Sequence, residues 1–176
     1  MKNPIFNRQH IQEYFGYGSL AAILYAAPVW YFFSKGIYQD LYFIYIGIGL
    51  FMFTIFSYAL RLLNRPYDKK RAVSMLIAGN FATLAGVLIA FLLVGGGFLI
   101  FFPDVFNVQP VTETLNNAPA SIQPARPSGL LFMIMIITIF GNISVGSFVS
   151  VVTAYVGKKN QTEDEVADLG QNVGDR

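Results

Sequence analysis

The sequence predicts an all-helical membrane protein of four transmembrane helices, paired as two antiparallel hairpins with both termini in the cytoplasm. Three observations indicate this fold class. The 176-residue chain is 55% hydrophobic and only 12% charged, whereas a soluble domain is about 25% charged. Its apolar residues are concentrated in four runs that contain no charged side chain. A short basic segment, residues 61–71, separates the second run from the third.

Each of the four apolar runs is long enough to cross a bilayer. The runs cover residues 14–34, 41–60, 72–103 and 127–157. Because a helix rises 1.5 Å per residue, about 20 residues cross the hydrocarbon core. We therefore expect one transmembrane domain over residues 1–157, with spans at about 14–34, 41–62, 72–98 and 129–157. Buried helices of a soluble protein rarely reach these lengths four times in succession.

The first two runs are joined by only six residues, 35–40, which makes them antiparallel neighbours. Aromatic residues flank this connection on both sides, from Trp30 to Phe33 before it and from Tyr42 after it. Such a belt is typical of the headgroup region. A polar start followed by an apolar run is also the pattern of a cleaved signal peptide, but the aromatic end favours a retained span. Pro28 near that end predicts either a bend or the end of the regular helix, since proline lacks an N–H donor.

The third run is longer than a bilayer requires. A helix of its 32 residues would measure about 48 Å, against about 30 Å of hydrocarbon. Two interpretations remain open. The span ends or kinks at Gly95–Gly97 and leaves residues 98–102 along the outer interface, or it continues as one tilted helix.

Two polar segments complete the chain. Residues 103–128 are rich in proline and low in charge, which predicts an extended outer loop. Residues 158–176 carry half of the chain's ten acidic side chains, and this composition predicts a disordered cytoplasmic tail.

The distribution of Lys and Arg predicts the orientation of the spans. With four spans, the N-terminus, the basic segment and the tail share one side, which holds ten of the twelve Lys and Arg residues. The other side holds Lys35 and Arg126. Basic residues are concentrated in cytoplasmic segments of membrane proteins. We therefore expect a multi-pass protein of the cell's inner membrane with both termini in the cytoplasm.

The spans offer little for chemistry. No Asp, Glu, Lys, Arg or His lies in any apolar run, cysteine is absent, and the single histidine is His10. Ion-coupled pumps depend on ionisable groups inside the membrane, and a serine nucleophile needs a nearby base. The sequence therefore predicts no enzyme activity, cofactor, metal site or nucleic-acid partner, and it disfavours a coupled pump.

Small residues recur at intervals of four in the last two spans. One set comprises Ala78, Ala82, Gly86 and Ala90, and the other comprises Asn142, Gly146, Ser150 and Ala154. Such stripes allow helix backbones to approach closely in lipid. Either the third span packs on the fourth, or the stripes bind a second copy or another membrane protein. We also expect Asn80 and Asn142 each to make an interhelical hydrogen bond of about 1 kcal/mol.

The final span resembles a family of small four-span bacterial membrane proteins whose domain has no assigned function. The residues that carry the resemblance are Gly141, Asn142, Gly146, Ser150 and the segment 155–159. The resemblance implies the four-span layout and assigns no activity to this chain. The triple glycine and the proline-rich loop have no counterpart in it.

Two functions are consistent with these observations. The first is a structural or accessory subunit that acts through helix–helix association, with the basic segment against anionic headgroups. The alternative is a small oligomeric, uncoupled transporter or channel. This alternative requires a polar cavity near the midplane that reaches Asn80, Thr83, Asn142 or Ser147.

Overall fold

The computed structural model describes residues 8–63, 71–103, 118–119 and 127–171, and its regular elements are helical. Helix α1 covers Arg8–Lys35, and a short 3-10 helix, Tyr38–Leu41, leads into α2, Tyr42–Leu63. Helix α3 covers Arg71–Phe101. Helix α4 (Pro127–Ile136), a π turn (Ile137–Gly141) and α5 (Asn142–Gln171) follow one another without a break, and we call them together the C-terminal helix. The predicted all-helical class is confirmed.

The four long helices form two antiparallel hairpins. Helix α1 ends at Gly36, whose φ of 60° lies in the left-handed region that favours glycine. The chain then reverses, so that Tyr17 packs on Tyr58 and Tyr31 packs on Phe43. In the second hairpin, α3 and the C-terminal helix also run in opposite directions.

The two hairpins lie side by side, with α1 next to α3 and α2 next to the C-terminal helix. Helices α1 and α3 are parallel, because Gly18 meets Gly86 and Trp30 meets Gly97 further along. Helix α2 and the C-terminal helix are also parallel, because Ile48 meets Gly141 and Leu63 meets Gly157. Helices α2 and α3 are consecutive in the sequence but lie diagonally across the bundle. The most extensive helix contact is between α1 and α3, the first helices of the two hairpins.

Within the described residues, three helices are long and apolar enough to cross a membrane. They cover Tyr38–Leu63, Val73–Phe101 and Ser128–Gly157, and they correspond to the second, third and fourth predicted spans. Helix α1 is not among them. It contains glycine, serine, proline and tyrosine among its apolar residues, and Glu13 near its start, which lower its mean hydropathy.

Helix α3 continues through the triple glycine to Phe101, so the continuous alternative describes the third span. Gly95 makes room for the Met135 side chain, and Gly97 makes room for the indole of Trp30. The Trp30 indole N–H donates to the carbonyl oxygen of Leu93 at 3.0 Å. Two of these glycines therefore admit neighbouring side chains and do not interrupt the helix.

The C-terminal helix extends to Gln171, whereas the sequence predicts a disordered tail from residue 158. The segment contains Gln, Glu, Ala and Leu, which have high helix propensity, and it continues a helix that is already nucleated. The predicted outer loop lies outside the described residues except for its ends and Ala118–Pro119, as do residues 64–70 of the basic segment.

Candidate functional site

The small residues of α3 pack against α1. A Cβ atom at Gly18 would lie 2.8 Å from both Ala82 O and Gly86 N, and one at Gly86 would lie 3.0 Å from Gly18 O. Ala82 and Ala90 are fully buried. The α3 stripe therefore brings two backbones into contact, but its partner is α1 and not the predicted fourth span.

The small residues of the C-terminal helix do face α3, through positions next to the α3 stripe. A Cβ atom at Gly146 would collide with the Thr83 side chain, and one at Gly79 would collide with the Ser150 hydroxyl. Asn142, Ser150 and Ala154 are also buried. The two predicted stripes thus both serve contacts inside the bundle, without facing each other.

The sequence reasoning missed the partner of the α3 stripe, although a signal was present. Gly18, Ala22 and Ala26 recur at intervals of four in α1. Ala22 and Ala26 are buried, and Gly18 makes the backbone contact with α3. This is the same small-residue pattern that indicated the other two stripes.

A polar cluster lies at the centre of the bundle, and it is formed by Tyr25, Thr138 and Asn142. The Tyr25 ring rests on Gly47 of α2, where an added Cβ atom would lie 2.9 Å from the ring. Its hydroxyl reaches across the bundle to Thr138 Oγ1 at 2.8 Å. All three side chains of the cluster are fully buried. Tyr25 therefore connects α1, α2 and the C-terminal helix.

The hydrogen bonds of this cluster have a defined direction. Thr138 Oγ1 donates to Ile134 O at 2.8 Å, and a hydroxyl has only one hydrogen to donate. The Tyr25 hydroxyl must therefore donate to Thr138 Oγ1. Thr138 belongs to the π turn, a feature that recurs at functional sites.

Asn142 bonds differently from its predicted role. Its Nδ2 donates to Thr138 O at 2.8 Å, within the same helix. Its Oδ1 has no hydrogen-bond partner among the described residues, although the amide lies beside the Tyr25 hydroxyl. Asn142 Oδ1 therefore makes no interhelical hydrogen bond within the described residues, and this buried acceptor lies next to a hydroxyl that donates to Thr138.

The interhelical hydrogen bond predicted for Asn80 is confirmed. Ser147 Oγ donates to Asn80 Oδ1 at 3.0 Å, and Asn80 Nδ2 donates to Leu76 O at 2.8 Å in its own helix. Both atoms of the amide group are therefore satisfied, and this pair joins α3 to α5.

Charged groups lie at the end of the bundle where α1 begins. Arg61 Nη1 donates to the Tyr17 hydroxyl at 3.0 Å, and its guanidinium lies 5.9 Å from the centre of the Tyr17 ring. His10 Nδ1 is 3.8 Å from Glu13 Oε2. In the part of the chain that the structure describes, no three His, Cys, Asp or Glu side chains come together to hold a metal ion.

Two of the grooves that the described residues form lie on the outer faces of the bundle. One, of about 330 Å³, lies between α1 and α3, and the other, of about 380 Å³, lies between α2 and α5. Apolar residues line both of them. Neither groove is lined by Asn80, Thr83, Asn142 or Ser147, the four residues that a transport pathway was expected to reach.

Comparisons of the chain with protein-family models, with curated proteins and with solved structures give no match. The resemblance of the final span to small four-span bacterial membrane proteins therefore stays a prediction. What the chain does must be inferred from its own geometry.

Proposed function

We propose that the chain is a four-span membrane protein that acts without catalytic chemistry, as a structural or accessory subunit in helix–helix association. Both termini lie in the cytoplasm in this proposal. The observation that carries it is that the apolar runs contain no Asp, Glu, Lys, Arg or His, while their buried serine and threonine hydroxyl groups form hydrogen bonds inside the bundle. Such an interior suits packing better than ion coupling.

The buried serine and threonine hydroxyl groups donate to carbonyl oxygens of their own helices. Thr54 donates to Leu50 O, Thr83 to Gly79 O, Ser150 to Gly146 O and Thr153 to Val149 O, each at 2.8 or 2.9 Å. Satisfying polar groups internally is required in lipid. Hydroxyl groups that line a transport pathway would instead be directed towards the transported species, so these contacts favour a structural protein over the transporter alternative.

The arrangement of α1 supports the proposal that it also crosses the membrane. It lies parallel to α3 from Gly18 to Trp30, and its 28 residues correspond to about 42 Å. Its inner face is fully buried, whereas Phe15, Leu20 and Ile23 are exposed on the outside. An apolar outer face on a helix that lies alongside a membrane-length helix fits contact with lipid.

The buried stripes limit how association can occur. Because Gly18, Gly86 and Gly146 already hold neighbouring helices of the same bundle, they are not open to a partner. A second copy or another membrane protein would therefore meet the large apolar side chains that remain on the outside.

The proposed topology predicts a specific labelling pattern. The chain contains no cysteine, so each introduced cysteine is the only thiol of the chain that a maleimide can label. In intact cells, a membrane-impermeant maleimide should label Ala118→Cys and leave Asn3→Cys unlabelled, and permeabilisation should expose both. Gln171→Cys is a control that stays protected whether or not α1 spans the membrane. Labelling of Asn3→Cys would contradict a membrane crossing by α1, and protection of Ala118→Cys would contradict the proposed orientation.

The proposed association predicts a crosslinked species in native membranes. At natural expression levels, a short amine- or photo-reactive crosslinker should convert the tagged chain into a discrete species of fixed mass, either a dimer or a complex with one other membrane protein. Mass spectrometry identifies the partner. An unrelated tagged multi-span protein at the same level is the control. Recovery of the chain only as a monomer, while the control behaves as expected, would contradict the subunit role.

A further inference from the structure

We propose that the groove between α1 and α3 binds one acyl chain of an anionic phospholipid from the cytoplasmic leaflet. This inference rests on the proposed membrane insertion. We call the site the α1–α3 groove, and its principal residues are Ile11, Phe15, Phe81, Leu84, Leu88 and Ile89.

The groove is formed by the way the two helices meet. Gly18 and Gly86 bring the backbones of α1 and α3 into contact, and the Tyr14 and Phe81 rings stack with their centroids 5.9 Å apart. Larger side chains line the groove on either side of this backbone contact. Among them, Phe15 and Leu88 are 58% and 68% exposed. The groove is therefore preformed by rigid contacts, and its volume of about 330 Å³ is within the range of ligand sites.

The length of the groove favours an acyl chain over a partner helix. Tyr14 is level with Phe81, so Ile11 lies about one helical turn nearer the helix starts, and the groove continues along α3 to Ile89. This span of about eleven residues corresponds to about 17 Å. One leaflet contributes about 15 Å of the hydrocarbon core. A crossing helix would need a groove of twice this length.

The charge at the open end of the groove favours an anionic headgroup. Helices α1 and α3 are parallel and begin at Arg8 and Arg71, so both starts lie at this end. Arg61 of α2 lies at the same end, where it bonds to Tyr17. Glu13, less than two turns into α1, lies beside His10. Basic residues at the cytoplasmic surface attract anionic lipids, and both helices that form the groove begin with an arginine.

The test uses the full chain in nanodiscs made of equal parts phosphatidylglycerol and phosphatidylcholine. After extraction in a mild detergent, native mass spectrometry should find one retained phospholipid, with phosphatidylglycerol enriched at least fivefold. Filling the groove with Leu84→Trp and Leu88→Trp should reduce retention at least fivefold. Removing its exposed walls with Phe15→Ala and Leu88→Ala is a second variant, with little risk to folding, and should also reduce it.

Matched controls separate the acyl chain from the headgroup. Val152→Trp fills the groove between α2 and α5 and should leave retention unchanged. Arg8→Gln with Arg71→Gln should keep a bound phospholipid but abolish the preference for phosphatidylglycerol. Equal retention of the two lipids by the unmodified chain, undiminished retention in both groove variants, or a second copy of the chain in place of lipid would overturn the proposal. Release of the chain from membranes by alkaline carbonate would overturn the membrane insertion itself.

Discussion

Replacing Gly86 with leucine should lower the midpoint of thermal unfolding in detergent by about 10 °C. The site has no room, because an added Cβ atom would lie 3.0 Å from Gly18 O on one side and 2.9 Å from the Phe51 ring on the other. The backbone atom cannot move aside without separating α1 from α3. Overpacking of this kind costs about 3 kcal/mol, and each kcal/mol shifts the midpoint by about 2–4 °C in a chain of this size.

Gly96→Leu is the matched control for this experiment. Gly96 lies in the same helix, yet a Cβ atom added there would have no neighbour within 4 Å among the described residues, and the residue is exposed. We expect a change of less than about 0.5 kcal/mol, as for other surface substitutions. Equal midpoints for the Gly86 and Gly96 variants would show that α1 and α3 do not meet at Gly18 and Gly86.

Removing both acceptors near the Tyr25 hydroxyl should also destabilise the bundle. In the double variant Thr138→Val with Asn142→Leu, the buried hydroxyl loses its bond to Thr138 Oγ1 and cannot turn to the neighbouring amide. An unpaired buried donor costs about 1–3 kcal/mol. At about 2 kcal/mol, the thermal midpoint should fall by about 6 °C.

Adding Tyr25→Phe to this double variant should restore most of the lost stability, because it removes the unpaired donor itself. Asn142→Leu alone should have a small effect, since it deletes an acceptor that has no partner among the described residues together with a donor bonded within its own helix. If the triple variant were no more stable than the double variant, the stability would not depend on the Tyr25 hydrogen bond.

The helices and hairpins could be predicted because lipid imposes simple requirements on sequence. Long uncharged runs correspond to α2, α3 and the C-terminal helix, and the connection at residues 35–40 predicted the first hairpin. The acidic composition predicts a disordered tail from residue 158, whereas α5 continues to Gln171, in a segment that contains residues of high helix propensity and extends an existing helix. The end of the third span could not be predicted at Gly95–Gly97, because glycine occurs both where a helix breaks and where a neighbouring group approaches the helix closely.

The central polar cluster could not be predicted from residue types. Tyrosine in a membrane sequence usually indicates an interface, and nothing in the segment around Tyr25 distinguishes it from Tyr31 or Tyr45. Its burial depends on Gly47, which faces it from another helix and leaves room for the ring. The unpaired Asn142 Oδ1 likewise results from the position of neighbouring helices. Such features depend on pairs of residues far apart in the chain.

The sequence by itself determined the all-helical class, the approximate positions of three membrane-length helices and the absence of ionisable side chains in the apolar runs. Only the tertiary structure decided that α1 lies beside α3, which helix each small-residue stripe faces, and where the α1–α3 groove opens. The physical reason is that a helix in lipid is apolar on every side. Hydrophobic periodicity, which marks the buried face of a helix in water, therefore gives little indication of which neighbour it will meet.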